Sequence, residues 1–158
     1  MRRTFAAELY QWMEKDPDIW VICIDLGYGM FDKIRDKFPD RFLNTGAAEQ
    51  AAMGIAVGLA MEGKIPVVYS ITSFLLYRPF ETIRNYINHE GIPVKLVGSG
   101  RDKDYLHDGF SHDSTDAKKI MKNFKNICQD WPDTKEAMVD SMEFFLYCNA
   151  PHFISLRR

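Results

Sequence analysis

The stretch LNTGAAEQAAMGIAVGLAMEGKIPVVY, residues 43–69, combines a helix pattern with a strand pattern, and it decides the fold class. Small and apolar residues predominate at positions 47–62, and Gly63 follows them, as is typical of a helix that ends at a glycine. The apolar, β-branched run at residues 65–71 then predicts a buried strand. A helix that leads through a short turn into such a strand is a building unit of α/β proteins.

Glu49 lies in the first turn of this predicted helix, ahead of its small, apolar residues. One interpretation is electrostatic, because carboxylates are favoured where they face the positive end of the helix dipole. The other interpretation is that Glu49 acts on a group bound beside the end of the helix. The local sequence leaves both open.

Length and composition indicate a soluble protein of ordinary make-up. The chain has 158 residues, of which 27% are charged, and its net charge is -2. We therefore expect neither nucleic acid nor an anionic membrane as a partner. The three cysteines, Cys23, Cys128 and Cys148, lack metal-site spacing and indicate reduced thiols of a cytoplasmic protein. We find no signal peptide or membrane-spanning segment, and we expect one domain over residues 1–158, with no second domain after it.

Strand patterns alternate with helix patterns along the whole chain. This alternation predicts an α/β fold with a doubly wound, mostly parallel sheet and helices on both faces. Strands are predicted at residues 19–26, 65–71, 94–98, 126–130 and 151–156, and a further short strand followed by a turn is predicted within residues 41–46. Helices are predicted at residues 1–16, 31–38, 47–62, 75–89, 116–124 and 133–148.

Polar and glycine-rich segments follow several of the predicted strands. Because the strands are predicted to be parallel, their carboxyl ends lie at one edge of the sheet, where such folds bind ligands. The sequence therefore predicts a ligand site at this edge, built from DLGYG, NTGAAEQ, SITSFLLYRPF and GSGRDKDYLHDGFSHDS.

Two parts of the sequence resemble the pyrimidine-binding domain of transketolase-like thiamine diphosphate enzymes. The first is GAAEQAAMGIAVGLAMEGKIPVVYSITSFLLYRPFETIR, which has the Gly-x-x-Glu-Gln turn, the Gly-rich helix and the Phe-rich segment of that family. The second is HDGFSHDSTD, which is similar to the family's Asp-Gly-Pro-Thr-His-Gln loop. The resemblance runs from about residue 25 to residue 158, with the motifs in the family's order.

The resemblance gives Glu49 a catalytic role. The matching glutamate of the family hydrogen-bonds a ring nitrogen of the cofactor's aminopyrimidine and favours the tautomer that takes a proton from the thiazolium carbon. This role requires a carboxyl group that shares a proton near neutral pH, and an apolar setting favours such sharing. Thiamine diphosphate is therefore the implied cofactor.

The resemblance also implies that Phe74, Tyr77 and Phe80 hold the pyrimidine ring. Their spacing of three residues predicts one aromatic surface, although aromatic core residues of a helix show the same spacing. Transketolases usually have tyrosine where this chain has Phe80.

Further residues are implied as substrate contacts. His112 matches a histidine that contacts substrate oxygens and can move protons, and Asp108 matches a residue near sugar hydroxyls; a simple polar turn remains the alternative for both. The replacement of the family's Pro, Thr and Gln in this loop leaves the substrate open. Arg101, Arg157 and Arg158 are candidates for binding a sugar phosphate, or are ordinary arginines without that role.

The chain lacks the Gly-Asp-Gly motif with which the family binds the diphosphate and its magnesium ion. It also lacks any metal-ligand spacing of its own and the family's C-terminal domain. We therefore expect a separate partner subunit that carries the diphosphate site and holds the magnesium, in an α2β2 heterotetramer.

Three functions remain open at this point. The first is a transferase subunit that moves a two-carbon ketol unit between sugars or sugar phosphates in carbohydrate metabolism. The second is the pyrimidine-binding subunit of a thiamine diphosphate-dependent 2-oxoacid decarboxylase or dehydrogenase. The third is a non-catalytic relative, which has no need for an acid at position 49.

Overall fold

The computed structural model describes residues 1–158 and contains one six-stranded sheet. Its strands are β1 (Ile19–Cys23), β2 (Phe42–Asn44), β3 (Ile65–Ile71), β4 (Lys95–Ser99), β5 (Cys128–Asp130) and β6 (His152–Leu156). They lie in the order β2-β1-β3-β4-β6-β5, and every neighbouring pair is parallel. This topology confirms the predicted α/β class with a parallel, doubly wound sheet.

Seven α-helices cover the two faces of the sheet. They are α1 (Arg2–Lys15), α2 (Asp32–Lys37), α3 (Glu49–Met61), α4 (Thr72–Tyr77), α5 (Phe80–Thr82), α6 (Ala117–Met121) and α7 (Lys135–Tyr147). None of them combines the length and the apolar character that crossing a membrane requires.

Two separate cores hold the helices against the sheet. One core packs α3, α4 and α6 against residues such as Val68 and Leu96 on one face. The other packs α1, α2 and α7 against Val67 and Val97 on the opposite face. Because successive strand residues point to opposite faces, Val67 and Val68 serve different cores, and the central strands are apolar on both sides.

The prediction of one continuous helix at residues 75–89 is wrong. Helix α4 begins earlier, at Thr72, and ends at Tyr77; a new helical turn, α5, begins at Phe80 and continues as a π-helix, Ile83–His89. Pro79 explains the break, since proline lacks an N–H and its ring clashes with the carbonyl four residues earlier. The break gives the residues on its two sides separate orientations, and both sides carry predicted site residues.

Gly98 allows close packing in the middle of β4. A Cβ atom at this position would lie 2.6 Å from Thr72 Oγ1 and 3.1 Å from the ring of Phe153. We expect Gly98→Ala to lower the free energy of unfolding by about 1–3 kcal/mol, because the neighbours are themselves packed.

Gly54→Ala is the matched control, because a Cβ atom there meets no other atom within 4 Å and Gly54 is exposed on α3. Alanine is favoured over glycine in a helix by about 1 kcal/mol, so this variant should keep or gain stability. Urea unfolding of both variants measures the difference, and equal losses would contradict the packing argument.

Candidate functional site

Glu49 is the first residue of α3, and its side chain is buried. Only 4% of the residue is exposed, although the start of a helix usually meets water. Its Oε1 accepts a hydrogen bond from Arg78 Nη1 at 2.5 Å. A carboxylate that is removed from water needs such a partner, since an unpaired buried charge is costly. Glu49 is therefore not a solvated first-turn acid.

Arg78 links Glu49 to the predicted aromatic pocket. Its guanidinium lies 3.7 Å from the centroid of the Phe74 ring, while 44% of its side chain stays exposed. Phe74 in turn meets the ring of His112 edge-on, with the centroids 4.7 Å apart. Contacts therefore connect three predicted site residues, Glu49, Phe74 and His112, through Arg78. We call these four residues the Glu49 cluster.

The sequence interpretation did not include Arg78. The sequence does contain a feature that could have indicated Arg78. Arg78 lies four residues after Phe74, and this spacing places two side chains on the same side of a helix. The backbone N–H of Arg78 also donates to the carbonyl of Phe74, so this local helical geometry persists up to the break at Pro79.

Tyr77 lies at a neighbouring groove and not in the Glu49 cluster. Its hydroxyl donates a hydrogen bond to the Asp116 carboxylate. Partial desolvation of the hydroxyl, together with this bond to Asp116, raises the pKa of Tyr77 to about 12. The groove has a volume of about 410 Å³ and is lined by Ser73, Tyr77, Phe110, Ser111, Asp113, Thr115 and Asp116.

Phe80 lies beyond the break at Pro79 and contacts a residue outside the Glu49 cluster. Its ring packs against Phe124 with a centroid distance of 5.3 Å, at the start of α5. The three aromatic residues therefore do not form one continuous surface in this structure. The spacing of three would align them only along an uninterrupted helix.

Arg101 lies outside the cluster, and protein atoms satisfy its guanidinium. It is 3% exposed and donates to Ser155 through Nε and Nη2, to Asp133 through Nη1 and to the Pro132 carbonyl through Nη2. These four bonds fasten the loop after β4 to the end of β6 and to the segment before α7. They leave the guanidinium without a free face for a phosphate.

The remaining predicted residues lie on exposed parts of the same region. Asp108 is close to His107, with 3.4 Å between Oδ2 and Nε2, in a short 3-10 turn. Arg157 pairs with Asp133 at 3.3 Å. Neither Asp108 nor Arg157 contacts the Glu49 cluster.

A basic pocket of about 580 Å³ opens beside the ends of β1 and β3. At its wall, Arg2 Nη1 donates to the Tyr105 hydroxyl at 2.5 Å, and Arg158 lies over the same ring at 5.2 Å from its centroid. The lining contains several cations and no carboxylate, which suits an anionic group. It consists of Met1, Arg2, Arg3, Thr4, Leu26, Gly27, Tyr28, Met30, Tyr69, Ile71, Tyr105, Lys135 and Arg158.

The sequence interpretation named Arg158 as a candidate but missed Arg2 and Tyr105. Arg2 belongs to the first turn of α1, and only the folded chain brings it next to Tyr105, which lies 103 residues further on. Sequence spacing carries no signal for such a long-range contact.

These features define an α/β protein with a candidate ligand site at the carboxyl edge of a parallel sheet. The family described as "Transketolase, pyrimidine binding domain" matches residues 1–158. The chain therefore belongs to the transketolase pyrimidine-binding domain family.

Two curated relatives and one solved structure give the similarity in detail. The chain is 34% identical over 131 residues to a Methanocaldococcus jannaschii protein whose name marks it as a provisional transketolase C-terminal section. It is 28% identical over 159 residues to the 6-deoxy-6-sulfo-D-fructose transketolase subunit SqwH of Clostridium sp.. These matches cover 80% and 100% of this chain, but 40% and 49% of the relatives, so the chain spans less than half the length of either.

The solved structure is described as a split gene transketolase, inactive beta4 tetramer. It superposes with a TM-score of 0.86 at 28% sequence identity, over 99% of this chain and 51% of that chain. This likeness agrees with the topology of the sheet and with the family.

The pairing of Glu49 with Arg78 can be tested by its contribution to stability. We expect Arg78→Met to lower the free energy of unfolding by about 1 kcal/mol, a modest value because Arg78 is half-exposed and screened by water. In a Glu49→Gln background the same substitution should cost much less, because a neutral amide needs no cation.

Urea unfolding of the four proteins of this double-mutant cycle gives the coupling energy. Arg84→Met is the control, since Arg84 is exposed and contacts only its neighbour Asn85. A cycle without measurable coupling would contradict the ion pair.

Proposed function

We propose that this chain is the pyrimidine-binding subunit of a thiamine diphosphate-dependent transketolase whose diphosphate-binding half is a separate polypeptide. The observation that carries the proposal is the buried carboxylate of Glu49 at the start of α3, with the ring of Phe74 nearby. A flat heterocycle that carries ring nitrogens fits a carboxylate beside an aromatic face. The residues present therefore fit the pyrimidine half of the cofactor.

Glu49 is the residue that handles a proton in this proposal. Its carboxyl group shares a proton with a ring nitrogen of the bound pyrimidine, and its burial strengthens that hydrogen bond by excluding water. When bound, thiamine diphosphate supplies an acceptor for the electron pair of the carbon–carbon bond that breaks.

Arg78 has to leave Glu49 before a pyrimidine can bind there. Its guanidinium covers both features that the ring would use, the carboxylate of Glu49 and the face of Phe74. Because Arg78 is long and half-exposed, it can turn towards solvent without a change in the backbone. Once released from Arg78, the Glu49 carboxyl group would be free to hydrogen-bond a ring nitrogen of the pyrimidine.

The substrate contacts extend the proposal along the same edge of the sheet. His112 is held against Phe74 and can exchange a proton with substrate oxygens, and Asp108 is assigned to sugar hydroxyls. The basic pocket with Arg2 and Arg158 suits the phosphate of a sugar phosphate. Arg101 is assigned to holding the loop, since its donors are already used.

The partner subunit is proposed from the relatives that are named as transketolase subunits and from the exposed surface of this chain. In the proposal, the diphosphate and its magnesium ion are assigned to that partner. Helix α3 exposes small and apolar residues, which permit close approach by another chain: Ala51, Gly54, Ile55, Gly58 and Met61. Tyr28 and Phe110, in loops at the carboxyl edge, are 92% and 89% exposed.

We propose an α2β2 heterotetramer of cytoplasmic carbohydrate metabolism with its cofactor sites between subunits. The named transketolase subunits among the relatives support this assignment. A 2-oxoacid decarboxylase or dehydrogenase subunit, and a non-catalytic relative, are the outcomes against which the assignment is tested.

The experiment reconstitutes this chain with a separately expressed diphosphate-binding subunit. We expect thiamine diphosphate with magnesium to bind the pair tightly and this chain alone weakly, as measured by calorimetry. Two-carbon transfer between sugar phosphates should fall about 10²- to 10⁴-fold in Glu49→Gln, the range for loss of a group that transfers a proton.

Glu62→Gln is the matched control, because Glu62 is an exposed carboxylate at the other end of the same helix. Tight stoichiometric binding of the cofactor by this chain alone would contradict the split enzyme. Full turnover by Glu49→Gln would contradict the role of Glu49. Activity only with 2-oxoacids would assign the chain to the second class of enzyme.

A further inference from the structure

A second cluster of reactive side chains lies at the opposite edge of the sheet from Glu49. Lys95, Cys128 and His152 are the first residues of β4, β5 and β6, and the strand register pairs His152 with both of the others. Cys148 follows α7 directly, and Asp130 ends β5. We call these five residues the Cys148 cluster, and none of them belongs to the proposed cofactor site.

Within the cluster, a thiol, an imidazole and a carboxylate form a line of contacts. Cys148 Sγ lies 3.4 Å from His152 Nδ1, and His152 Nε2 lies 2.9 Å from Asp130 Oδ2. Because a carboxylate accepts a hydrogen bond, it favours the tautomer with the proton on Nε2 and leaves the lone pair of Nδ1 towards the thiol. This is the arrangement in which an oriented base activates a nucleophile.

Lys95 adds a positive charge beside the same sulfur. Its Nζ lies 3.4 Å from Cys148 Sγ and donates to the carbonyls of Cys148 and Ala150 at 2.7 and 2.8 Å. Lys95 is buried, and desolvation lowers its pKa, while Cys148 opposes that shift. Lys95 Nζ is therefore placed to stabilise the negative charge that develops on this sulfur when it reacts.

Small molecules can reach this sulfur from solvent. Cys148 is partly exposed and, with Lys95, lines a surface cavity of about 260 Å³. The cluster is not a metal site, because no three of its potential ligands converge as coordination requires. Its chemistry is therefore that of an activated, accessible thiol.

Cys128 is the neighbouring thiol of the cluster and has a different character. Cys128 is paired with His152 in the register of β5 and β6. Desolvation and the neighbouring Cys148 raise the pKa of Cys128, so it is a weaker first nucleophile than a thiol without such a shift. Cys23 differs from both, since it is fully buried in a core and desolvation raises its pKa to about 12. Of the three thiols, Cys148 is the one with both an oriented imidazole and an ammonium group beside its sulfur.

We propose that Cys148 and Cys128 form a peroxide-sensitive thiol pair, in which Cys148 attacks the oxidant and Cys128 resolves the product. His152 Nδ1 accepts the thiol proton as the Cys148 sulfur attacks one oxygen of hydrogen peroxide, and the O–O bond breaks. The departing hydroxide takes that proton and leaves as water, which gives a sulfenic acid on Cys148. The Cys128 sulfur then attacks the Cys148 sulfur and displaces water, forming a disulfide. In total, two thiols are oxidised and one peroxide is reduced to two molecules of water.

The test treats the purified full-length chain with hydrogen peroxide, blocks remaining thiols by alkylation and maps the products by peptide mass spectrometry. We expect a disulfide between Cys128 and Cys148, with Cys23 still reduced. In Cys128→Ser, dimedone should trap a sulfenic acid on Cys148. In Cys148→Ser, Cys128 should stay reduced under the same treatment.

Three results would overturn the proposal. Cys148 remaining reduced under conditions that oxidise free cysteine would remove it as the reactive thiol. Oxidation of Cys128 at an unchanged rate in Cys148→Ser would reverse the order of attack. A persistent sulfenic acid on Cys148 in the unmodified chain would remove Cys128 as the resolving thiol.

Asp130→Asn tests whether Asp130 positions His152. Iodoacetamide should alkylate Cys148 about tenfold faster in the folded chain than in the urea-unfolded chain, because His152 Nδ1 can accept the thiol proton as the sulfur attacks. The substitution should slow that reaction severalfold. A merely structural role predicts the opposite sign, since a loosened fold exposes the thiol and speeds alkylation. Faster alkylation in Asp130→Asn would therefore remove Asp130 from the proposal.

Discussion

The Glu49 carboxylate lies almost out of contact with water at the start of α3, where a cation, a hydrogen-bond donor or a proton must offset its desolvation. In this structure Arg78 meets that requirement, and Phe74 supports the guanidinium from its other side. A buried carboxylate at this position lowers the stability of the fold relative to a well-packed apolar residue, because its charge must be desolvated. The position therefore favours a residue kept for its chemistry, as the proposed function requires.

The Glu49 cluster and the Cys148 cluster lie at opposite ends of the parallel strands. The carboxyl ends of the strands open into the loops that carry the Glu49 cluster and the basic pocket. The amino ends of β4, β5 and β6 carry the Cys148 cluster. Because all six strands are parallel, the two clusters lie at opposite ends of the strands.

The fold could be predicted from the sequence, because the period of apolar residues reports burial directly. The strand at residues 65–71 agrees with β3 at both ends, and Gly63, with a φ of 78°, follows the end of α3 as expected. The site was less predictable. Pro79 separates Phe80 from Phe74, and Arg101 is held by residues more than 30 positions away. Local spacing cannot report contacts that depend on tertiary structure.

Arg78 connects the buried acid to the assembly that the proposed function requires. While Arg78 neutralises Glu49, the isolated subunit keeps its charge paired and presents no open carboxylate. A pyrimidine alone gains little by displacing Arg78, because it replaces one hydrogen bond with another and must also be ordered. Contacts to the diphosphate on a partner would supply the missing free energy through the same bound molecule. Loading of the cofactor and docking of the partner then become one coupled equilibrium, and each favours the other.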